Sequence, residues 1–357
     1  MFSPDCLPVL IGSLPLVDHT EAAELILTHT PDIPLWPQLP KVEREGMVRQ
    51  FISGFPGLID DGKKCWINRS GSDFSEKMTS FYEHFLECEA LPALPESSCF
   101  ALTPETARGF FAFTDILSSG CYSPVTVKGQ ITGPITTGTG VRDQNGTALF
   151  YDDNLRDMLV KLLSGKARWQ VEQLKRFCND IPPIIFIDEP GMVSFGSTAF
   201  AGVSKELVST SVSEVINAIK AAGGLAGIHI CANGDWGPAL SSAADIISFD
   251  SYSYFEHFIL YRDQLVSYLE RDGILAWGIV PTGNPEAVEN ETVESLFMRW
   301  QEQLQTLSSM GFDEQQLLAH TLIAPACGTG SLGRELAVKV LSMTRDLSHL
   351  IRNRYAL

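Results

Sequence analysis

Residues 182–188 read PPIIFID, 224–230 GLAGIHI, 244–250 ADIISFD, 274–280 ILAWGIV and 320–325 HTLIAP. Each is a short, nearly unbroken apolar run, the pattern of a strand buried on both faces of a parallel sheet. Between these runs lie longer segments with helical spacing. Leu155, Met158, Leu159, Leu162 and Leu163 share one helical face. Leu207, Val208, Val212, Val215, Ile216 and Ile219 do the same, as do Leu296, Phe297, Trp300, Leu304 and Leu307. Strand and helix in repetition specify an α/β protein. Upstream, LPVLIGS (7–13) and PVTVKGQ (124–130) read as strands, and either IPLW (33–36) or KKCWIN (63–68) supplies another. The total is about eight, the number that closes a (β/α)8 TIM barrel, with a doubly wound open sheet as the structural alternative.

At 357 residues the chain is within the range of one barrel carrying insertions, and no linker, low-complexity tract or repeat divides it. A single domain over 1–357 is therefore expected. Residues from about Asp60 to Gly120 are rich in aromatics and turn formers and do not fit one βα unit. They read as an insertion in the N-terminal half, packed over one barrel end. Apolar residues make up 45% and charged residues 19%, a globular balance without signs of disorder. The net charge of −17 is spread along the chain and repels phosphate backbones and anionic membranes, which argues against nucleic-acid and membrane partners. The start has no positively charged region followed by an apolar run, so no secretion signal is read there. The N-x-S/T matches at Asn68, Asn145 and Asn290 are accordingly taken as accidental. The eight cysteines are scattered, which points to reduced thiols in a cytoplasm, some free to bind metal.

The sharpest local feature is His229-Ile230-Cys231 at one strand end, with Cys327 at another and Asp250 closing the strand between. Ligands two residues apart project from the same side of an extended segment, so one ion can meet both. Taken alone, H-x-C also fits a buried cysteine beside a core histidine. In a barrel, however, all four side chains fall at the C-terminal rim, where barrel chemistry occurs. Imidazole, two thiolates and a carboxylate suit four-coordinate zinc. Such a set sums to a net charge of about −1 with the ion, which makes a poor activator of water but a good carrier of a thiolate. Asp188 and Glu189 are neighbouring carboxylates at another strand end, of which only one can face the barrel mouth. The inward one could hold a substrate ammonium or belong to a structural ion pair. Gly12 and Ser13 offer N–H groups and a hydroxyl suited to a carboxylate, or form an ordinary turn.

At these residues the sequence resembles the C-terminal catalytic barrel of cobalamin-independent methionine synthase, within the uroporphyrinogen-decarboxylase-like barrel group. The likeness runs, with gaps, from about Leu10 to the C-terminus. Ile11-Gly12-Ser13-Leu14-Pro15 is similar to the family's opening I-G-S-F-P, whose backbone and serine hold the amino-acid substrate. Arg44 to Phe51 is similar to its E-R-x-x-M-V-x-x-F helix, Thr132 to Thr136 to its T-G-P-V-T turn, and Ile187 to Pro190 to its I-D-E-P. His229, Cys231 and Cys327 fall on its zinc ligands, and Asp250 falls where it usually has glutamate. The resemblance implies zinc, methyl transfer to a small thiol, most simply homocysteine giving methionine, and Asp188 as the ammonium binder.

Three departures refine that implication. The large N-terminal half of the full-length synthases has no counterpart here, which favours a short form using methylcobalamin on a corrinoid protein as donor. Lys41 stands where the substrate-binding glutamate aligns without gaps, so either Glu43 or Glu45 takes its place or the amine is held differently. Pro281 and Thr282 occupy the stretch of the family's proton-handling histidine. Trp236, read as exposed, and the turn Asn233-Gly234-Asp235 are candidates for shaping a donor surface, or form a plain βα loop. The competing functions are a corrinoid-dependent methyltransferase for another thiol, such as a coenzyme M-like acceptor, and a non-catalytic zinc-binding barrel.

Overall fold

Six parallel strands lie side by side in sequence order in a computed structural model that describes residues 2–194 and 203–357. An antiparallel hairpin, β1 (Leu58–Asp60) with β2 (Cys65–Ile67), precedes them. The parallel strands are β3 (Lys128–Thr132), β4 (Ile184–Asp188), β5 (Leu225–Ile230), β6 (Ile246–Phe249), β7 (Ile274–Val280) and β8 (Thr321–Pro325). Two extended segments join the free edges of this sheet. Residues 7–13 pair with β8 through the parallel bridge Pro8↔Ile323, and Val9 N–H donates to Ile323 O at 2.9 Å. Residues 33–38 pair with that first segment at Ser13↔Gln38 and with β3 at Leu35↔Lys128. The result is a ring of eight parallel staves, six of them regular strands.

The helices follow the staves in the alternation that closes such a ring. His19–His29 links the two irregular staves, and Arg108–Ser118 links the second to β3. Asp153–Leu174, Lys205–Ala221 and Val293–Ser309 carry the three amphipathic faces read from the sequence. Arg334–Tyr355 follows β8 and ends the chain. Among the described residues no helix is long and apolar enough to cross a membrane.

Side-chain parity sorts the core into two layers. Val9, Ile11, Ile184, Phe186, Ile246, Ala276, Leu322 and Ala324 form a cluster filling the ring. Their neighbours Ile185, Ile187, Ile228, Ile230, Ile247, Trp277 and Ile323 face outward and join the helices. This is the period-two consequence of the strand, applied around a closed sheet.

The structure resolves one alternative left open by the sequence and differs from the sequence reading elsewhere. IPLW, not KKCWIN, supplies the second stave, since Cys65–Ile67 pairs in the hairpin instead. The supposed insertion is shorter: Arg108–Ser118, within it, is the barrel helix ahead of β3. Of the rest, the hairpin β1–β2 pairs through Ile67↔Asp143 with the loop beyond β3, and residues 88–101 pack on the side of the barrel. Buried Lys166, in Asp153–Leu174, donates to the carbonyls of Cys99 and Ala101, and Arg168 donates to those of Cys88 and Leu91. Finally, Arg44–Phe51 forms turns and no regular helix: Arg44 takes φ +70°, outside the α region, and Gln50 N–H to Gly46 O closes a single turn after it.

Gly109 lets the helix Arg108–Ser118 approach the second stave. A Cβ there would lie 1.9 Å from the Pro37 carbonyl oxygen, which belongs to the backbone and cannot move aside cheaply. Gly109→Ala is expected to lower stability by about 1–3 kcal/mol, the usual range for overpacking. A urea titration with an unshifted midpoint would contradict this packing.

Candidate metal centre and substrate cavity

β5 and the residues after β8 place three ligand types together at the C-terminal end of the ring. One ligand atom each from His229, Cys231 and Cys327 lies within 4.8 Å of the others. Zinc–ligand bonds of about 2.0–2.3 Å put tetrahedral neighbours roughly 3.3–3.8 Å apart, so the three need little adjustment to share an ion. His229 is buried, and its Nε2 has no hydrogen-bond partner among the described residues. An orphaned buried imidazole nitrogen facing two sulfurs fits a metal ligand. Its other nitrogen, Nδ1, lies 2.9 Å from Ser248 Oγ. With Nε2 left to ligate, Nδ1 carries the proton and donates to that hydroxyl, which fixes the tautomer and the ring plane. The Cys327 thiol beside it, with His229, holds Cys231 low, at about 4, against the burial that pushes it up. Cys327 is raised correspondingly, because its proton serves its neighbour.

Asp250 stands apart from this group. Its Oδ1 accepts the N–H of Ser253 at 2.8 Å and caps the helix Ser251–Phe258. The cap engages one oxygen of two.

The cluster opens into a cavity of about 460 Å³. Its walls include Ile11, Ser13, Gln38, Glu45, Asp188 and Gly328. Asp188 is buried, and its Oδ1 has no hydrogen-bond partner among the described residues. Burial raises its pKa to about 6, while His229 and Lys128 pull the other way. Glu189, the adjacent carboxylate, turns out of the ring. It accepts the N–H groups of Ile135 and Thr136, each at 2.8 Å, the Thr136 hydroxyl, and the Gly191 N–H at 3.2 Å. Its work is to hold the turn Thr132-Gly133-Pro134 against β4. Strand parity thus separates the two acids.

Gly12 and Ser13 lie at the end of the first stave, and their N–H groups have no backbone acceptor among the described residues. Ser13 Oγ accepts the Gly330 N–H at 3.2 Å. Of the carboxylates near Lys41, Glu45 reaches the cavity. It is 1% exposed, and His19 Nε2 lies 2.9 Å from both its oxygens. Lys41 does not line the cavity; its ammonium donates to the Pro15 carbonyl at 3.2 Å. Trp236, expected to be exposed, is fully buried against Phe249 and Phe258 at ring distances of 6.1 and 5.2 Å. An indole that large in a short loop anchors the loop to the core and leaves nothing for a partner to touch. Glu45's partner His19 and the supporting Ser248 were not found from sequence. Ser248 had a readable signal, since it is an inward polar residue two places before Asp250.

Comparison with solved structures places the fold. A B12-independent methionine synthase from Shewanella sp. W3-18-1, in complex with selenomethionine, matches with a TM-score of 0.54 and 17% identity over 99% of this chain and 100% of that one. A methyltransferase from Methanosarcina mazei matches with a TM-score of 0.55 and 14% identity over 96% of this chain and 94% of that one. The barrel is shared with both. No family model matches the chain, and no curated protein matches its sequence.

Ser248→Ala should leave the fold intact and weaken metal binding about 10-fold or more, as loss of a partner to a ligating imidazole does. Zinc competition against a chelator measures this, and unchanged affinity would remove Ser248 from the site.

Proposed function

We propose that this protein is a zinc-dependent methyltransferase that methylates a small thiol, homocysteine, to give methionine. The observation that carries the reading is that one cavity brings together the His229, Cys231 and Cys327 cluster and the buried, unpartnered carboxylate of Asp188. Sulfur ligands at one wall and an acid at another suit a short amino acid bearing a thiol. The fold shared with a methionine synthase and a methyltransferase supports the same class.

Zinc held by His229, Cys231 and Cys327 would lower the pKa of a substrate thiol while leaving its sulfur nucleophilic. Asp250 is proposed as the fourth ligand. Its cap contributes about 1 kcal/mol, which is small against the ~10–16 kcal/mol of a structural zinc site, and one of its oxygens remains available. Asp188 would accept the substrate ammonium, with Glu45 as a second carboxylate on the same cavity. Ile11, Gly12 and Ser13 would meet the substrate carboxylate through main-chain N–H groups. Held at both ends, the sulfur is aligned for in-line attack. The S–C bond forms as the bond from the methyl to its donor breaks; the bonding pair leaves with the donor, and the thiol proton passes to solvent.

The proposed donor is methylcobalamin carried by a corrinoid protein. A corrinoid leaving group needs no proton, in keeping with Pro281 and Thr282 where the resembling family has a proton-handling histidine. Eight free cysteines accord with a reducing cytoplasm.

Zinc-loaded protein given methylcobalamin and L-homocysteine is expected to demethylate the cobalamin with one methionine formed per methyl lost. Neither change, with zinc present, would reject this donor, and a failure with every donor would favour a non-catalytic barrel. Asp188→Asn should reduce kcat/KM for homocysteine about 10–100-fold, the loss expected for a hydrogen bond to a charged group. Homocysteine use surviving almost intact would instead favour an acceptor without an amino group. Cys231→Ala and Cys327→Ala are each expected to lose zinc with an unchanged circular dichroism spectrum. Stoichiometric zinc retained in either variant would refute the ligand set.

A further inference from the structure

The reaction outlined above leaves one charged group unused inside the ring. Lys128 opens β3 and is fully buried beside the cluster that holds Ile11, Ile184 and Phe186. Its Nζ donates to the Ile11 carbonyl at 2.6 Å, lies 3.5 Å from Gln130 Oε1, and stands 4.4 Å from the centroid of the Phe186 ring. Burial pulls its pKa down to about 8, opposed by the charge of Asp188. Stability alone does not call for an ammonium here. An apolar side chain of similar volume in place of a buried charge is often as stable or more so.

The carbonyl that Lys128 holds belongs to the peptide joining Ile11 to Gly12. In a trans peptide the C=O and the following N–H point in opposite directions, so fixing one fixes the other. Main-chain pairing does not do this: Val9 N–H donates to Ile323 O, Gln38 N–H to Gly12 O at 3.0 Å and Leu14 N–H to Gln38 O, and among the described residues no main-chain N–H reaches Ile11 O. Gly12 itself has φ +151°, and a Cβ would meet Gln38 Oε1 at 3.1 Å and Gln130 Cδ at 3.2 Å. The turn is therefore enclosed by side chains, with its Gly12 carbonyl held by the Gln38 N–H and its Ile11 carbonyl by the Lys128 ammonium. Lys128 also precedes by four residues Thr132, the register partner of Asp188. Its charge thus lies a few residues deeper in the ring than the acid proposed to take the substrate amine.

We propose that Lys128 is a positioning residue for the amino-acid end of the acceptor, holding the Ile11 carbonyl so that the Gly12 N–H is set for a substrate carboxylate beside the Ser13 N–H, which the Gln38 N–H fixes through the Gly12 carbonyl. This rests on the reading of the acceptor as homocysteine. It separates recognition of the head group from capture of the sulfur, and that separation is what the experiment reads.

Zinc-loaded wild type, Lys128→Met and Lys128→Gln are titrated calorimetrically with L-homocysteine and with 2-mercaptoethanol, a thiol without an amino-acid head. Wild type is expected to prefer L-homocysteine by about tenfold or more. Lys128→Met should lose most of that preference while zinc content and 2-mercaptoethanol affinity hold. Lys128→Gln keeps an N–H donor without the charge, is expected to fall between the two, and carries the test if the methionine variant does not fold. A preference unchanged in the variants, or both affinities lost in equal proportion, would overturn the positioning role and leave the acceptor reading standing. A wild type that binds the two thiols alike would overturn both.

Discussion

Around the ring, each stave sends alternate side chains inward and outward, and both the core and the chemistry depend on that alternation. Phe186 fills the interior while Ile185 and Ile187 meet the helices, and the next inward residue is Asp188. Ile228 and Ile230 face the shell, and His229 faces the cavity. A one-residue slip in either strand would bury the acid or the imidazole among the helices and put isoleucine at the cavity wall. Packing therefore enforces the position of the reactive groups: the same isoleucines that make the slip costly hold the ligands in place.

Most of the titratable groups buried in and around the ring have company. Glu45 has His19, and Lys128 has the Ile11 carbonyl and the Phe186 face. Glu189 has three main-chain N–H groups. Asp188 and His229 are the departures, each with a buried atom left unpartnered, and both border the same cavity. A buried unsatisfied polar group costs about 1–3 kcal/mol, so two side by side mark a place shaped for something else to bind.

The second half of the fold was legible because its strands are buried on both faces and read as plain apolar runs. The first half was harder for a physical reason. Staves 7–13 and 33–38 are held by a few bridges and by side chains such as Lys128, and such pairing leaves no periodic trace. Arg108–Ser118 was absorbed into the supposed insertion because the aromatic residues that dock it, among them Phe110 beside Trp36, resemble the composition around them. At the site, the H-x-C spacing and Asp188 could be read from strand parity. The choice between Glu43 and Glu45 could not, since the segment that carries them forms irregular turns with a left-handed residue at Arg44 and has no period to read. The role of Asp250 was equally hidden, because an acid that ends a strand and one that caps the next helix look the same in sequence.

The uneven construction of the ring also bears on how it breathes. Strands β3 to β8 exchange main-chain hydrogen bonds along continuous ladders, whereas the first two staves make isolated ones. Amide protons of residues 7–13 and 33–38 should thus be traded for deuterium through small local openings, while those of β4 and β5 wait for larger ones. The yielding sector borders Cys327 directly, for Ser13 O accepts the Thr329 N–H at 2.9 Å and Ser13 Oγ the Gly330 N–H at 3.2 Å, while His229 lies on the laddered strand β5 with Cys231 just beyond it. A guest that enters by loosening that sector for a moment would loosen Cys327 with it, while His229 and Cys231 keep their places on and beside β5.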